Sequence, residues 1–319
     1  MSNALEKLKE FTVVVADTAD FGVLSKFGSV DSTTNPSLVF QASVLPQYKH
    51  LIDDAVAYAK KNSTDKQTQL SLSIDKLFVN FGLEILKIVP GRVSTEVDAR
   101  LSYDTEANIK KARELIALYE AAGINRNRVL IKLASTWEGI QAAQVLEKEG
   151  IHCNMTLLFS LVQAQACAEA GVTLISPFVG RITDFYKQKE GKDFPAKEDP
   201  GVLSVQAIYH YYKKHGYKTV VMGASFRTKE QPLELVGCDL LTLSPNILEA
   251  LQAADASLVT PKLSATNIPG NVPAKHVPTA ANFHWELTNN EMAHFKTAEG
   301  IRNFAKDLVK LEQQIEKLL

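Results

Sequence analysis

Short apolar runs alternate with amphipathic segments along the chain. Eight such runs are rich in β-branched residues and lack a regular polar–apolar alternation, which is typical of strands covered on both faces. They occupy residues 11–18, 29–35, 92–99, 128–134, 152–159, 173–180, 219–226 and 240–245. The pattern therefore predicts eight buried strands.

The segments between these runs carry apolar residues at the three- and four-residue spacing of a helix. This spacing predicts helices over 104–122, 136–149, 160–170 and 204–215, and the first ten residues, MSNALEKLKE, also have an amphipathic helical pattern. A glycine follows each of the four predicted helices and is suited to end it. Helices that end on glycine before an apolar run indicate repeated αβ units.

Two α/β architectures accommodate eight strands that alternate with helices: a closed (β/α)8 barrel and a doubly wound open sheet. An open sheet that binds a nucleotide usually has a glycine-rich turn after its first strand, and VVVADTADFG contains none. The pattern therefore favours a TIM barrel with additional N- and C-terminal helices. Such barrels form one domain of about 250 residues or more, so we expect residues 1–319 to be a single domain.

Two stretches depart from the alternation. The polar segment 181–200 predicts a loop with a short helix, and the proline-rich segment 258–284 predicts an irregular surface connection. A C-terminal helix over about 285–319, packed on the barrel, is predicted by apolar residues spaced alternately three and four apart: Ile301, Phe304, Leu308, Leu311, Ile315 and Leu318. A contribution of this helix to a subunit interface is the alternative interpretation.

Composition and charge narrow the class of protein. Of 319 residues, 45% are hydrophobic, and 35 basic side chains against 36 acidic ones leave a net charge of -1. This balance gives the chain no overall electrostatic attraction to nucleic acids or anionic membranes. No apolar stretch approaches the roughly 20 residues that cross a bilayer, the N-terminus lacks the apolar segment of a signal peptide, and the three cysteines are scattered. We therefore expect a cytoplasmic protein without nucleic-acid or membrane partners.

Polar residues gather at the carboxyl ends of the predicted strands, where the active sites of α/β barrels lie. Lys132 is the most informative of them, because apolar residues surround it in the sequence VLIKLA. Burial would lower the pKa of this lysine, so that its neutral amine could attack a carbonyl and form a Schiff base. A lysine that reaches water or pairs with a carboxylate is the alternative. Lys87 is a rival candidate, but it is predicted to end a helix.

Two acids are placed for proton transfer beside such an amine. Asp17 and Glu96 lie within or just after apolar runs. Asp17 could equally cap the following segment, and Glu96 could pair with Arg92 or Arg100.

Further polar side chains fit the binding of a polar, phosphorylated substrate. Asn154 and Thr156 lie two residues apart and would face the same side of a strand. Thr156 could pass a proton through water or simply favour the strand. Arg181 and Arg227 follow the sixth and seventh predicted strands, where two arginines could hold a phosphate group, although a surface salt bridge would explain either one alone.

No pattern supports a metal or an organic cofactor. The seven histidines show no HExxH or other paired-ligand spacing, and no GxSxG sequence is present. We therefore expect chemistry that depends on side chains alone.

These candidate residues lie in motifs that resemble those of transaldolases of the pentose phosphate pathway. The motifs are VVADTAD at 14–20, TTNPSL at 33–38, GRVSTEVDARLSYD at 91–104, VLIKLASTWEG at 129–139, NMTLLFS at 154–160, ISPFVGR at 175–181 and MGASFR at 222–227. The resemblance runs from about residue 12 to the end of the chain and is weakest over 258–284.

The resemblance implies a role for each candidate. Lys132 would form the Schiff base, and Asp17 would transfer the hydroxyl proton during carbon–carbon cleavage. The other implied roles are Glu96 and Thr156 for the catalytic water, Asn35, Asn154 and Ser176 for the dihydroxyacetone unit, Arg181, Ser225 and Arg227 for the phosphate, and Phe178 for the wall beside the Schiff base.

The implied reaction moves a dihydroxyacetone unit from sedoheptulose 7-phosphate to glyceraldehyde 3-phosphate, giving erythrose 4-phosphate and fructose 6-phosphate. The longer transaldolases, which this chain resembles in length, are typically dimers, so the resemblance also implies a homodimer. One alternative is an aldolase of the fructose 6-phosphate type, which releases free dihydroxyacetone. Another is a silent sugar-phosphate-binding barrel, which the loss of Lys132 or Asp17 would have supported.

Overall fold

Eight parallel strands close into a barrel in the computed structural model, which describes residues 3–319. The strands pair in sequence order, and β1 pairs with β8 to complete the ring. They are β1 Val13–Asp17, β2 Asp31–Thr33, β3 Val93–Glu96, β4 Val129–Ala134, β5 Cys153–Leu158, β6 Leu174–Pro177, β7 Val220–Gly223 and β8 Leu240–Leu243. Each lies inside its predicted apolar run, so the predicted TIM barrel is confirmed.

The interior of the barrel contains an apolar layer. One side chain from each of five strands forms a buried cluster there: Val15, Leu130, Leu174, Met222 and Leu240. Because alternate residues of a strand face the same side, the side chains two positions further on also point into the barrel. This second layer faces the carboxyl ends of the strands.

Thirteen α-helices lie within residues 3–319 and surround the barrel. They are α1 Ala4–Leu8, α2 Pro36–Ser43, α3 Lys49–Asn62, α4 Lys66–Leu86, α5 Thr105–Ala121, α6 Trp137–Lys148, α7 Leu161–Glu169, α8 Gly180–Glu190, α9 Pro200–Lys214, α10 Glu230–Leu233, α11 Pro245–Gln252, α12 Ala280–Asn289 and α13 Glu291–Glu316. No helix in this part of the chain is long and apolar enough to cross a bilayer.

The helices predicted over 104–122, 136–149 and 160–170 are confirmed as α5, α6 and α7. Side chains of Asp104 and Thr136 cap the first two helices, and Ser160 forms a capping box with Gln163 at the third. The predicted start of the fourth helix at residue 204 is wrong, because α9 begins at Pro200. Asp199 accepts hydrogen bonds from the amides of residues 201 and 202, so the helix starts one turn earlier than its apolar pattern indicates.

The segment 181–200 contains the predicted helix and loop, but the helix occupies the whole first half of the segment. Residues 180–190 form the regular helix α8, which buries few side chains because it lies at the rim. Its polar composition reflects that exposure and not a lack of helical structure. The connection over 258–284 is irregular as expected up to Thr279, which caps α12.

The structure corrects the start of the C-terminal helix. The helical conformation is interrupted at Asn290, so α12 and α13 are separate helices. The side chain of Asn290 caps α13 by accepting a hydrogen bond from the backbone amide of Ala293. The apolar stripe of α13 is buried from Ile301 to Ile315, whereas Leu318 is 42% exposed because it lies beyond the helix end. α13 packs against α2, α4, α8 and β5.

Candidate active site

The inward-facing layer above the apolar cluster is polar at four of its five positions. Moving two residues along the five strands leads from the apolar cluster to Asp17, Lys132, Ser176, Ala224 and Thr242. All five line one cavity of about 250 Å³ at the carboxyl ends of the strands. The barrel geometry thus converts five separate sequence positions into one site.

Most of the predicted site residues meet at this cavity. Eight of them line it: Asp17, Asn35, Lys132, Ser176, Phe178, Arg181, Ser225 and Arg227. The other three, Glu96, Asn154 and Thr156, are buried on the strands beside Lys132. The cavity wall also includes Thr33, Phe226, Thr242 and Ser244, which were not predicted.

Lys132 lies at the floor of the cavity and is only 5% exposed. Its Nζ lies 3.0 Å from Oε2 of Glu96 and donates a hydrogen bond of 3.0 Å to the carbonyl of Thr34. Strand register explains the pairing, because Glu96 of β3 is the direct neighbour of Lys132 in β4. The lysine is therefore both buried and paired with a carboxylate.

The alternative partners considered for Glu96 are wrong. Arg92 pairs with Asp31 at 3.3 Å, and Arg100 pairs with Asp98 at 2.7 Å on the outside of the barrel. The hydroxyl of Ser94 accepts a hydrogen bond from the side-chain amide of Asn154 inside the barrel. Glu96 lies two residues after Ser94 on the same strand and therefore also faces inward.

Burial controls the protonation of both acids. It raises the pKa of Asp17 above the usual range, and the Lys132 ammonium opposes this shift. Burial also raises the pKa of Glu96, again opposed by Lys132, whereas the charge of Asp17 adds to the rise. Buried acids of raised pKa beside an amine are suited to exchange protons with it or with a bound substrate.

A pair of threonines holds the Asp17 carboxylate. Thr33 donates a hydrogen bond of 2.8 Å to Oδ1 of Asp17, and its oxygen lies 2.7 Å from the hydroxyl of Thr242. Because Thr33 has one hydroxyl proton, Thr242 is the donor in the second bond. The sequence could not single out these residues, since threonine is also a common strand former.

Amide and hydroxyl groups cover the wall beside Lys132. Ser176 donates a hydrogen bond of 2.5 Å to Oδ1 of Asn154, whose amide nitrogen donates one of 3.0 Å to Ser94. Asn35 was predicted to end a strand, but β2 ends at Thr33, and Oδ1 of Asn35 caps α2 at 2.9 Å from the amide of Leu38.

Thr156 differs from these groups, because its buried hydroxyl has no hydrogen-bond partner within residues 3–319.

The two arginines at the cavity, Arg227 and Arg181, differ in their ion-pair partners. Arg227 forms an ion pair with Asp184 at 2.8 Å and lies 3.3 Å from the hydroxyl of Ser225. The guanidinium of Arg181 lies 4.9 Å from the ring centre of Phe178, and within residues 3–319 no carboxylate lies within ion-pair distance of it. Burial lowers the pKa of Arg181, and the charge of Arg227 lowers it further.

A glycine allows the two segments that carry the arginines to approach each other closely. The amide of Gly180 donates a hydrogen bond of 2.6 Å to the carbonyl of Ser225, and a Cβ at position 180 would lie 2.4 Å from that oxygen. Ser225 itself has a φ of 61°, an unfavourable backbone conformation for a residue with a side chain. Strained backbone maintained at a cavity is typical of functional sites.

The arrangement combines an amine, two acids, neutral hydrogen-bonding groups and two cations in one cavity. It can bind a polar anion at the arginine side and expose a carbonyl to the amine. Within residues 3–319, no group of three or more His, Cys, Asp or Glu side chains is arranged to hold a metal ion.

Comparison with known proteins places the chain in a family. The family model described as transaldolase/fructose-6-phosphate aldolase matches residues 14–315. A probable transaldolase of Dictyostelium discoideum is 72% identical to the chain, over 100% of both lengths. A transaldolase of Aliivibrio fischeri is 58% identical over 99% of both chains, and one of Shewanella amazonensis is 57% identical over 100% of both.

Proposed function

The chain belongs to the transaldolase/fructose-6-phosphate aldolase family, and we propose that it transfers a dihydroxyacetone unit between sugar phosphates through a Schiff base on Lys132. The observation that carries this proposal is the buried Lys132 amine, 3.0 Å from Glu96, on the floor of a cavity that also contains Asp17 and Arg181. Its substrates are sedoheptulose 7-phosphate and glyceraldehyde 3-phosphate, and its products are erythrose 4-phosphate and fructose 6-phosphate.

The first half of the reaction forms the imine. Glu96 accepts a proton from the Lys132 ammonium, and the amine then attacks the ketone carbon of the donor sugar. The carbinolamine loses its hydroxyl as water, for which Glu96 supplies the proton, and a protonated imine forms. Glu96 and the hydroxyl of Thr156 hold this water, which is consistent with the buried, unpartnered hydroxyl of Thr156.

The second half breaks and makes the carbon–carbon bond. Asp17 takes the proton of the substrate hydroxyl, the bond between the third and fourth carbons breaks, and the electron pair moves into the imine to give an enamine. The aldehyde product leaves, and an acceptor aldehyde binds. The enamine attacks the acceptor, Asp17 returns the proton to the new alkoxide, and water releases the ketose from Lys132.

The remaining groups bind the substrate. Asn35, Asn154 and Ser176 hydrogen-bond the hydroxyls of the dihydroxyacetone unit, while Phe178 shields the imine. Arg181, Ser225 and Arg227 bind the phosphate. The enamine must survive until the acceptor arrives, so the site has to exclude water that would protonate it.

Transfer and simple cleavage are distinguished by the fate of the three-carbon unit. With fructose 6-phosphate alone, we expect almost no free dihydroxyacetone. With erythrose 4-phosphate added, we expect glyceraldehyde 3-phosphate and sedoheptulose 7-phosphate at a much higher rate. Dihydroxyacetone release at the same rate with and without the acceptor would instead identify the fructose-6-phosphate aldolase activity.

Replacing Thr33 with valine should move the acid side of the pH–activity profile to higher pH. Asp17 must be ionised to accept the hydroxyl proton, so activity is lost as the pH falls through its pKa. The hydrogen bond from Thr33 lowers that pKa, so its removal raises the pKa further above the usual aspartate range. The kcat/KM profile of Thr33→Val checks this shift, and Thr33→Ser should restore the wild-type profile. Superimposable profiles would exclude Thr33 from controlling Asp17.

Replacing Arg181 should weaken phosphate binding more than replacing Arg227. Asp184 already forms an ion pair with Arg227, whereas Arg181 is a mostly buried cation without a carboxylate partner in the described chain. We expect Arg181→Lys to raise KM for glyceraldehyde 3-phosphate about 10- to 100-fold, the value of one or two charge-assisted hydrogen bonds. Arg227→Lys should raise it only several-fold. Steady-state kinetics with both variants measure the difference, and the opposite order would contradict it.

The homodimer, the cytoplasmic location and the single-domain organisation stay predictions. An exposed aromatic surface near α12 and α13 is consistent with a subunit interface, since Trp285 is 65% exposed and Phe295 is 46% exposed. Sedimentation of the purified chain at several concentrations tests the dimer.

A further inference from the structure

The C-terminal helix α13 contributes a ring that contacts Arg181, one of the residues that line the cavity. The guanidinium of Arg181 lies over two rings, 4.9 Å from the ring centre of Phe178 and 5.3 Å from that of Phe304 on α13. Phe304 is almost completely buried. We propose that Phe304 is a positioning residue that holds Arg181 for the substrate phosphate. This inference rests on the proposed phosphate-binding role of Arg181.

The two arginines are oriented by different means. Arg227 is fixed by the Asp184 carboxylate, which accepts hydrogen bonds from its Nε and Nη2. For Arg181, no side chain or carbonyl within residues 3–319 accepts a hydrogen bond from its guanidinium, which lies over the two rings instead. Rings that cover the faces of a guanidinium leave its N–H edges free. Phe304 thereby restricts a long, flexible side chain without using the donors that a phosphate requires.

The approach of α13 to the site is close and specific. Gly300 lies one helical turn before Phe304 on the same face. A Cβ there would lie 2.5 Å from Cδ2 of Leu157 and 3.2 Å from Nη1 of Arg181, so a larger residue at position 300 would displace these two side chains. Leu157 reaches α13 from a bulge in β5, where its φ of 52° turns the side chain out of the strand pattern.

The helix is also attached to α2, to α7 and to the turn after β3. Asp307 accepts a hydrogen bond from Ser37 in α2, two residues after Asn35, and Glu312 forms an ion pair of 2.5 Å with Arg100, four residues after Glu96. Near its start, Thr297 lies 3.3 Å from the amide of Gln163. These contacts fix the position of Phe304 relative to the barrel.

The test uses Phe304→Met, which keeps the side-chain volume and removes the aromatic face. We expect kcat/KM for glyceraldehyde 3-phosphate to fall about 10-fold, mainly through KM, as loss of one partly buried cation–π contact implies. The kcat/KM for unphosphorylated glyceraldehyde should stay within about 2-fold of wild type. The inhibition constant of inorganic phosphate should rise by about the same factor as KM. Phe304→Tyr, which keeps the aromatic face, should restore most of the preference for glyceraldehyde 3-phosphate over unphosphorylated glyceraldehyde.

The matched control is Leu308→Ala, one turn further along the same helix. Leu308 is equally buried but packs against α4 and not against Arg181. It should lower thermal stability without changing the preference for the phosphorylated acceptor. An unchanged preference in Phe304→Met, or an equal loss in Leu308→Ala, would overturn the inference. A wild-type protein that transfers no dihydroxyacetone would overturn the proposed function instead.

Discussion

Replacing Lys132 with methionine should reduce transfer of dihydroxyacetone by at least about 10⁴-fold, as is typical when a covalent nucleophile is removed. No other amine lines the cavity within residues 3–319, so no second residue can form the imine. Methionine has nearly the length of the lysine stem, so the loss should not come from a cavity in the barrel. Initial rates of the coupled assay measure the effect.

The same variant should remain folded but change its response to pH. Lys132 lowers the pKa of both Asp17 and Glu96, so without it both pKa values rise further. An acid whose pKa is raised in the folded state loses stability as the pH rises through that pKa. We therefore expect the free energy of unfolding of Lys132→Met to approach that of wild type in mild acid and to fall below it at pH 8.

Lys87→Met is the control for this experiment. Lys87 follows α4, pairs with Glu84 at 2.6 Å and is exposed. It should keep wild-type activity. Substantial turnover in Lys132→Met would show that another residue performs the chemistry.

Replacing Asp17 with asparagine should reduce turnover about 10²- to 10⁴-fold, the usual contribution of a general acid–base residue. Asparagine keeps the shape of the side chain and its contact with Thr33, but it cannot take the substrate hydroxyl proton. In the proposed mechanism imine formation uses Lys132 and Glu96, so it should continue in this variant. Borohydride treatment with fructose 6-phosphate should therefore trap an uncleaved six-carbon adduct in Asp17→Asn, where wild type gives a three-carbon adduct.

Asp75→Asn is the matched control, because Asp75 is also a buried acid paired with a lysine, Lys111, at 2.5 Å. It lies between α4 and α5, outside the cavity, and burial raises its pKa to about 6. This variant should keep its activity and give the three-carbon adduct. A three-carbon adduct in Asp17→Asn would mean that Asp17 does not assist cleavage.

Local patterns predicted the barrel well because each strand and each capped helix is encoded within a few residues. Lys132 could be recognised for the same reason, since a charge inside VLIKLA is unusual wherever the strand lies. The partner of Glu96 could not be recognised, because its pairing with Lys132 depends on the register of two strands 36 positions apart. The division of roles between Asp17 and Glu96 in the reaction followed from the resemblance to transaldolases and not from the sequence pattern.

Long-range packing explains what else was missed. Thr33 and Thr242 meet only because β1 joins β8 and β2 on closure of the barrel. The contact of Phe304 with Arg181 spans most of the C-terminal half of the chain, and in the sequence Phe304 is one more apolar position of a helical stripe. The extent of α8 was not predicted, because a rim helix buries few side chains and so has a weak apolar pattern.

We propose that Lys132 forms the covalent intermediate. Borohydride trapping with fructose 6-phosphate, followed by intact mass and peptide mapping, locates this intermediate on the chain. We expect one reduced three-carbon adduct for each chain, located on Lys132 and absent from Lys132→Met. No adduct, or an adduct on another lysine such as Lys87, would contradict it.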